Sequence, residues 1–76
     1  MKTTDDEIEI LLHNIKALRL RSGYSKRKMA QYLGISLYTL NKIEKGECPP
    51  QLDIYILFAV YWHFGILPSK LLERKI

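Results

Sequence analysis

Residues 25–46 constrain the chain more than any other part of it, because two helix starts lie too close together for antiparallel helices. Ser25 is a strong N-cap, its hydroxyl placed to take a free amide of a first turn. Met29, Ala30 and Leu33 follow at helical spacing on one inward face. Gly34 stands where a left-handed residue ends a helix, since glycine has no Cβ to clash there. Only Ile35 separates it from Ser36, the next N-cap. Leu40 and Ile43 form the inward stripe of the second helix, and Gly46 closes it. Two short helices joined this tightly cross at a steep angle, so the stretch is expected to fold as helix, turn, helix.

The second of these helices leaves Leu37, Tyr38, Asn41, Lys42 and Lys45 outward, opposite Leu40 and Ile43. Together they present an apolar contact, an aromatic hydroxyl, an amide and two cations. A major groove offers acceptors, donors and the thymine methyl, and this mixture suits it. An ordinary solvated face would carry similar residues. The cap–turn–cap arrangement in front of the helix favours the groove.

The distribution of charge points the same way. The net charge of +4 is unevenly spread. Residues 1–12 set Lys2 against Asp5, Asp6, Glu7 and Glu9, a balance of −3. Residues 13–46 set Lys16, Arg19, Arg21, Lys26, Arg27, Lys28, Lys42 and Lys45 against Glu44, a balance of +7, and the remainder is neutral. A basic patch on the helix-turn-helix segment attracts a polyanion.

Residues 15–46 resemble the helix-turn-helix domains of phage Cro and repressor proteins and of bacterial XRE-type regulators. The resemblance is carried by Ile15, Leu18-Arg19, Gly23, Ser25, Met29-Ala30, Leu33-Gly34-Ile35-Ser36, Thr39-Leu40-Asn41, Ile43-Glu44 and Gly46, with Pro50 and Leu52 downstream. It implies an all-α, compact five-helix domain of lambda-repressor type covering residues 1–76, with the helix-turn-helix at about 25–46. It also implies sequence-specific binding of double-stranded DNA, an Arg19–Glu44 ion pair tying the first helix to the third, and a small transcription regulator, expected to be a repressor. Leu37, Tyr38, Asn41 and Lys42 are then the candidate base contacts. Lys26, Arg27, Lys28, Ser36 and Lys45 are the candidate phosphate contacts. One departure stands out. The family often has glutamine directly after the position of Ser25, where it braces phosphate and recognition side chains, and this chain has Lys26.

The first helix is expected over 5–21, with Asp5, Asp6 and Glu7 in its first turn and Arg19 and Arg21 in its last, both favourable to the helix dipole. Its inward stripe is Ile8, Leu11, Leu12, Ile15 and Leu18, and His13 falls on the polar side or its margin. The second helix, over 26–33, opens on Lys26-Arg27-Lys28, three cations where the dipole favours anions. A phosphate bound between the helix amides and these cations would resolve that conflict; three solvated cations are the plain alternative. Tyr24 and Tyr32 are placed either to pack at the edges or to reach phosphate oxygens.

A stiff connection through Pro49 and Pro50 leads to a fourth helix over 52–64. At 100° per residue, Ile54, Leu57, Val60, Tyr61 and Phe64 gather on one side, taken as inward. Tyr55, Phe58, Ala59 and Trp62 gather on the opposite side. A helix apolar on both sides is buried twice. Either the first and last helices wrap it, or the second stripe forms a twofold homodimer interface, the reading preferred here. A competing function, a protein-interaction module of antitoxin or adaptor kind, would use the same aromatic face. The apolar run is shorter than the ~20 residues of a membrane span. The last helix is expected over 68–74, with Pro68 in its first turn and Leu71 and Leu72 inward.

A chain of 76 residues with 47% hydrophobic content has material for one small core. Cys48 is the single cysteine, so no internal disulfide is possible. Met1-Lys2 runs into polar residues, with no signal peptide, and a cytoplasmic location is expected. No paired carboxylates, Ser/His/Asp set, glycine-rich loop or ligand cluster stands out. Neither catalysis nor a metal or cofactor is expected.

Overall fold

The computed structural model describes residues 4–50 and 52–76. Lys2 and Gln51 lie outside the described residues, as does the side chain of Asp5. Five helices follow in order: α1 Thr4–Ser22, α2 Lys26–Leu33, α3 Leu37–Glu44, α4 Ile54–Phe64 and α5 Pro68–Glu73. There is no strand among the described residues. None of these helices is long and apolar enough to cross a membrane.

The long α1 packs against α3 and α5, while α2 packs against α3 and α4, and α4 against α5. Leu11, Leu12, Ile15 and Leu18 of α1 meet Met29, Ala30 and Leu33 of α2, Leu40 and Ile43 of α3, Ile56 and Val60 of α4 and Leu71 of α5 in one buried cluster. Ile8, Leu57, Phe64 and Leu72 pack half-buried against it.

Two buried residues among those described are polar, Thr39 of α3 and Asn14 of α1. Asn14, 0% exposed, donates its Nδ2 to the carbonyls of Leu71 at 2.7 Å and Arg74 at 3.0 Å, and its Oδ1 accepts the Ile76 amide at 2.9 Å. These bonds satisfy carbonyls at the end of α5 that have no intrahelical partner. His13 is exposed, with Nε2 3.3 Å from the Ile76 carbonyl.

Helix α4 departs from expectation. It begins at Ile54, capped by Asp53, whose Oδ1 accepts the Tyr55 amide at 2.9 Å. Its inward face is centred on Ile56 and Val60, flanked by Leu57, Ala59 and Phe64. Ile54 and Tyr61, expected inward, are exposed, and Ala59, expected on the outer stripe, packs half-buried against the core. The helix is apolar nearly all round, so its periodicity could not fix its rotation; contact with α2 and α5 does. Ile54, Tyr55, Phe58, Tyr61 and Trp62 are left facing outward.

Candidate nucleic-acid interface

The geometry of residues 25–46 begins with its caps. The Ser25 hydroxyl accepts the Lys28 amide at 3.1 Å and starts α2. Gly34, at φ +69°, ends it: its amide bonds the Gln31 carbonyl at 3.2 Å and the Ile35 amide bonds the Ala30 carbonyl at 3.0 Å. This is the paired-bond pattern of a Schellman end. Ser36 starts α3 two residues later. Its hydroxyl oxygen accepts the Thr39 amide at 3.1 Å while donating to Thr39 Oγ1 at 2.9 Å.

Helix α3 is held from behind by α1. Arg19 Nε donates to Glu44 Oε2 at 2.5 Å and its second nitrogen to Oε1 at 2.9 Å, while Nη1 reaches the Tyr24 carbonyl at 3.1 Å. The two side chains are only 15% and 5% exposed. The guanidinium pKa is raised above its ordinary value, foremost by the hydrogen bonds to Glu44. Burial opposes that shift and the Glu44 charge adds to it. A two-pronged carboxylate contact of this kind fixes orientation as well as distance.

On the open side, Leu37 and Tyr38 are exposed and Asn41 and Lys42 half-buried. Arg27 and Gln31, one turn apart on α2, line a groove with Ala30, Ile35 and Leu37. Arg27 and Leu37 are thus brought together. Gln31 joins them without having been singled out from sequence; its signal was its position four residues after Arg27 on an exposed face. The Lys42 ammonium lies 5.3 Å from the centroid of the Tyr38 ring.

The remaining candidates are dispersed. Lys26 is exposed at the start of α2. Lys28 Nζ sits 5.4 Å and 5.9 Å from the ring centroids of Tyr24 and Tyr32. Those rings pack 5.0 Å apart, and Tyr32 lies 4.6 Å from the ring of His63, so Lys28 joins an aromatic seam between α2 and α4. Lys45 lines a separate hollow with His13, Lys16 and Lys75. The Ser36 hydroxyl has its proton committed to Thr39. Among the described residues no group of three or more His, Cys, Asp or Glu side chains is arranged to hold a metal ion.

Two short helices packed together across a tight turn, capped this way and with a mixed polar face turned outward, define a helix-turn-helix unit. Residues 15–61 match the family model described as Helix-turn-helix, and the chain belongs to that family, in its Cro/C1 (XRE) type, a family of DNA-binding regulators. A stretch of 40 residues is 40% identical to YgzD of Bacillus subtilis (strain 168), an uncharacterised HTH-type transcriptional regulator. The match covers 53% of this chain and 61% of that relative's length. No solved structure matches the chain.

Proposed function

We propose that residues 1–76 form one helix-turn-helix domain acting as a sequence-specific, double-stranded-DNA-binding transcription regulator, a repressor of bacterial or phage type. The observation that carries this reading is the open face of α3. Leu37, Tyr38, Asn41 and Lys42 stand free of the core on a short helix locked to α1 by Arg19 and Glu44. In such domains the recognition helix lies in the major groove with its N-terminal residues toward the bases. Leu37 meets a thymine methyl and Lys42 bonds guanine O6 and N7. Asn41 is placed for adenine, and Tyr38 for either kind of edge.

Lys26, Arg27, Lys45 and the Ser36 end of α3 set register on the phosphates, with Lys28 at their margin and Gln31 added beside Arg27. The resemblance to the Bacillus subtilis transcriptional regulator supports the same reading. The domain works in the cytoplasm, and no enzymatic role, metal or cofactor is assigned to it.

The outer face of α4 supports a twofold homodimer. Tyr55 and Trp62 are 73% and 78% exposed, with Ile54, Phe58 and Tyr61 beside them. Contiguous apolar patches of this kind mark interaction sites. Two copies joined there would read half-sites about one helical turn, ~34 Å, apart. The second reading, a protein-interaction module of antitoxin or adaptor kind, rests on that same face.

Selection from a random duplex library at ~150 mM salt tests the proposal, since non-specific binding is weak there. An enriched inverted repeat is expected. A single enriched half-site would refute the dimer and keep the DNA reading. No enrichment would refute the DNA reading and favour a protein partner on α4.

A further inference from the structure

The recognition face of α3 contains an internal contact that bears on how it reads a base. The ammonium of Lys42 lies 5.3 Å from the centroid of the Tyr38 ring, one helical turn back. The Cα–Cβ bonds of a helix lean toward its N-terminus, so a long side chain at Lys42 is carried back over residue 38. That is the end of a recognition helix that reaches base edges. The carboxylate of α3 itself, Glu44, is engaged by Arg19 and does not draw the ammonium the other way. A lysine is a compact charge on a flexible four-carbon stem. A ring face within about 6 Å attracts such a cation and narrows where it sits.

We propose, resting on the DNA reading above, that Tyr38 is a positioning residue for Lys42. Its ring face holds the ammonium at the base-reading end of α3, so the preference for guanine at the pair read by Lys42 depends on the ring of Tyr38 and not on its hydroxyl. Holding a binding group in its bound place before the ligand arrives reduces the ordering cost of association. Tyr38 therefore shapes specificity at a base it need not touch.

Two measurements test this together. In the free protein, the ε-methylene protons of Lys42 are expected to show an aromatic ring-current shift in wild type and Tyr38→Phe, and to lose it in Tyr38→Ala. In duplex selection, Tyr38→Ala is expected to weaken the preference at the Lys42-dependent position about two- to fivefold, the range of an exposed cation–π contact. Tyr38→Phe should keep that preference, and in a Lys42→Ala background Tyr38→Ala should leave that position unchanged.

A Tyr38→Phe loss as large as that of Tyr38→Ala would overturn the proposal by making the hydroxyl the reader. So would a Tyr38→Ala effect undiminished without Lys42, or a ring-current shift absent from wild type. Failure of the wild-type chain to enrich any sequence, with the ring-current shift present, would overturn the DNA reading instead and leave the contact without a base to position.

Discussion

Arg19 of α1 and Glu44 of α3, 25 positions apart in the chain, meet through two nitrogens and two oxygens, and Arg19 has a further bond to the Tyr24 carbonyl. The contact sets the roll of α3 about its own axis and so fixes which residues face outward. Glu44→Ala would leave a largely buried guanidinium without its carboxylate, and breaking a buried pair this way costs about 3–5 kcal/mol. Urea unfolding of Glu44→Ala, Arg19→Met and the double variant Arg19→Met/Glu44→Leu should show the double variant less destabilised than Glu44→Ala. The Arg19 pKa is raised on folding, so its contribution is complete below the ordinary guanidinium range and is lost only as pH rises through the still higher folded value. The Arg19→Met difference should therefore show no Arg19-linked drift between about pH 7 and about pH 9.

Asn14 plays the corresponding part between the middle of α1 and the end of α5. Asn14→Ala would leave the Leu71 carbonyl buried without its 2.7 Å partner and release the Arg74 and Ile76 backbone. Each buried unsatisfied group costs about 1–3 kcal/mol, and the other two groups lie nearer solvent, so a total near 2 kcal/mol is expected from chemical unfolding. Amide exchange should report the same event as faster exchange at Ile76. An unchanged Ile76 rate in Asn14→Ala would contradict this role.

The turn between α2 and α3 makes its own demand. Gly34 sits at φ +69°, and a Cβ there would meet no atom within 4 Å, so conformation and not crowding decides the effect of a substitution. Gly34→Ala should destabilise by about 1–2 kcal/mol, the cost of a left-handed backbone for an ordinary residue, and Gly34→Asn by less. Thermal melts of the two variants would rank them, and an alanine variant as stable as wild type would count against the left-handed turn.

These contacts also mark what the sequence could and could not tell. The caps at Ser25 and Ser36, the stop at Gly34 and the stripe of α1 were legible because each is local, set by neighbours within a few positions. Asn14 was not, since its partners lie on α5 and in the residues just after it, 57 and more positions away. The rotation of α4 failed for a different reason: Ile54 and Ile56 are equally apolar, and only packing on α2 and α5 decides between them. The outward face of α3 was legible as a set of residues, but not the seating of Lys28 over Tyr24 and Tyr32, the double use of the Ser36 hydroxyl, or the placement of Lys45 beside α1.

The division between reading and positioning residues can be measured directly. Lys42→Ala should cost ~1–3 kcal/mol on the best site and relax one base position, since a good base-edge contact discriminates by that much. Lys26→Ala should weaken specific and random duplexes alike and reduce the salt slope by about one. Titrations of both variants against the selected site and a scrambled duplex, each at two salt concentrations, separate the roles. Equal losses on both duplexes for both variants would refute the division.

Trp62 provides the sharpest test of the α4 face. It is the most exposed of the large apolar side chains, at 78%, and stands in the last part of α4 with Phe58 one turn before it and Tyr55 two turns before. A tryptophan at the centre of an interface commonly contributes 2 kcal/mol or more, so Trp62→Ala should weaken self-association by roughly 30-fold or more. Because the side chain is outside the core, the fold should not suffer, and the circular dichroism of the variant should match that of wild type. Sedimentation equilibrium at micromolar concentration should find a dimer for wild type and a shift toward monomer for Trp62→Ala. The loss should be little affected by salt, in contrast to the charge-dependent binding of DNA. A wild-type monomer at that concentration, unchanged by the substitution, would remove the homodimer and leave the aromatic face to a different protein.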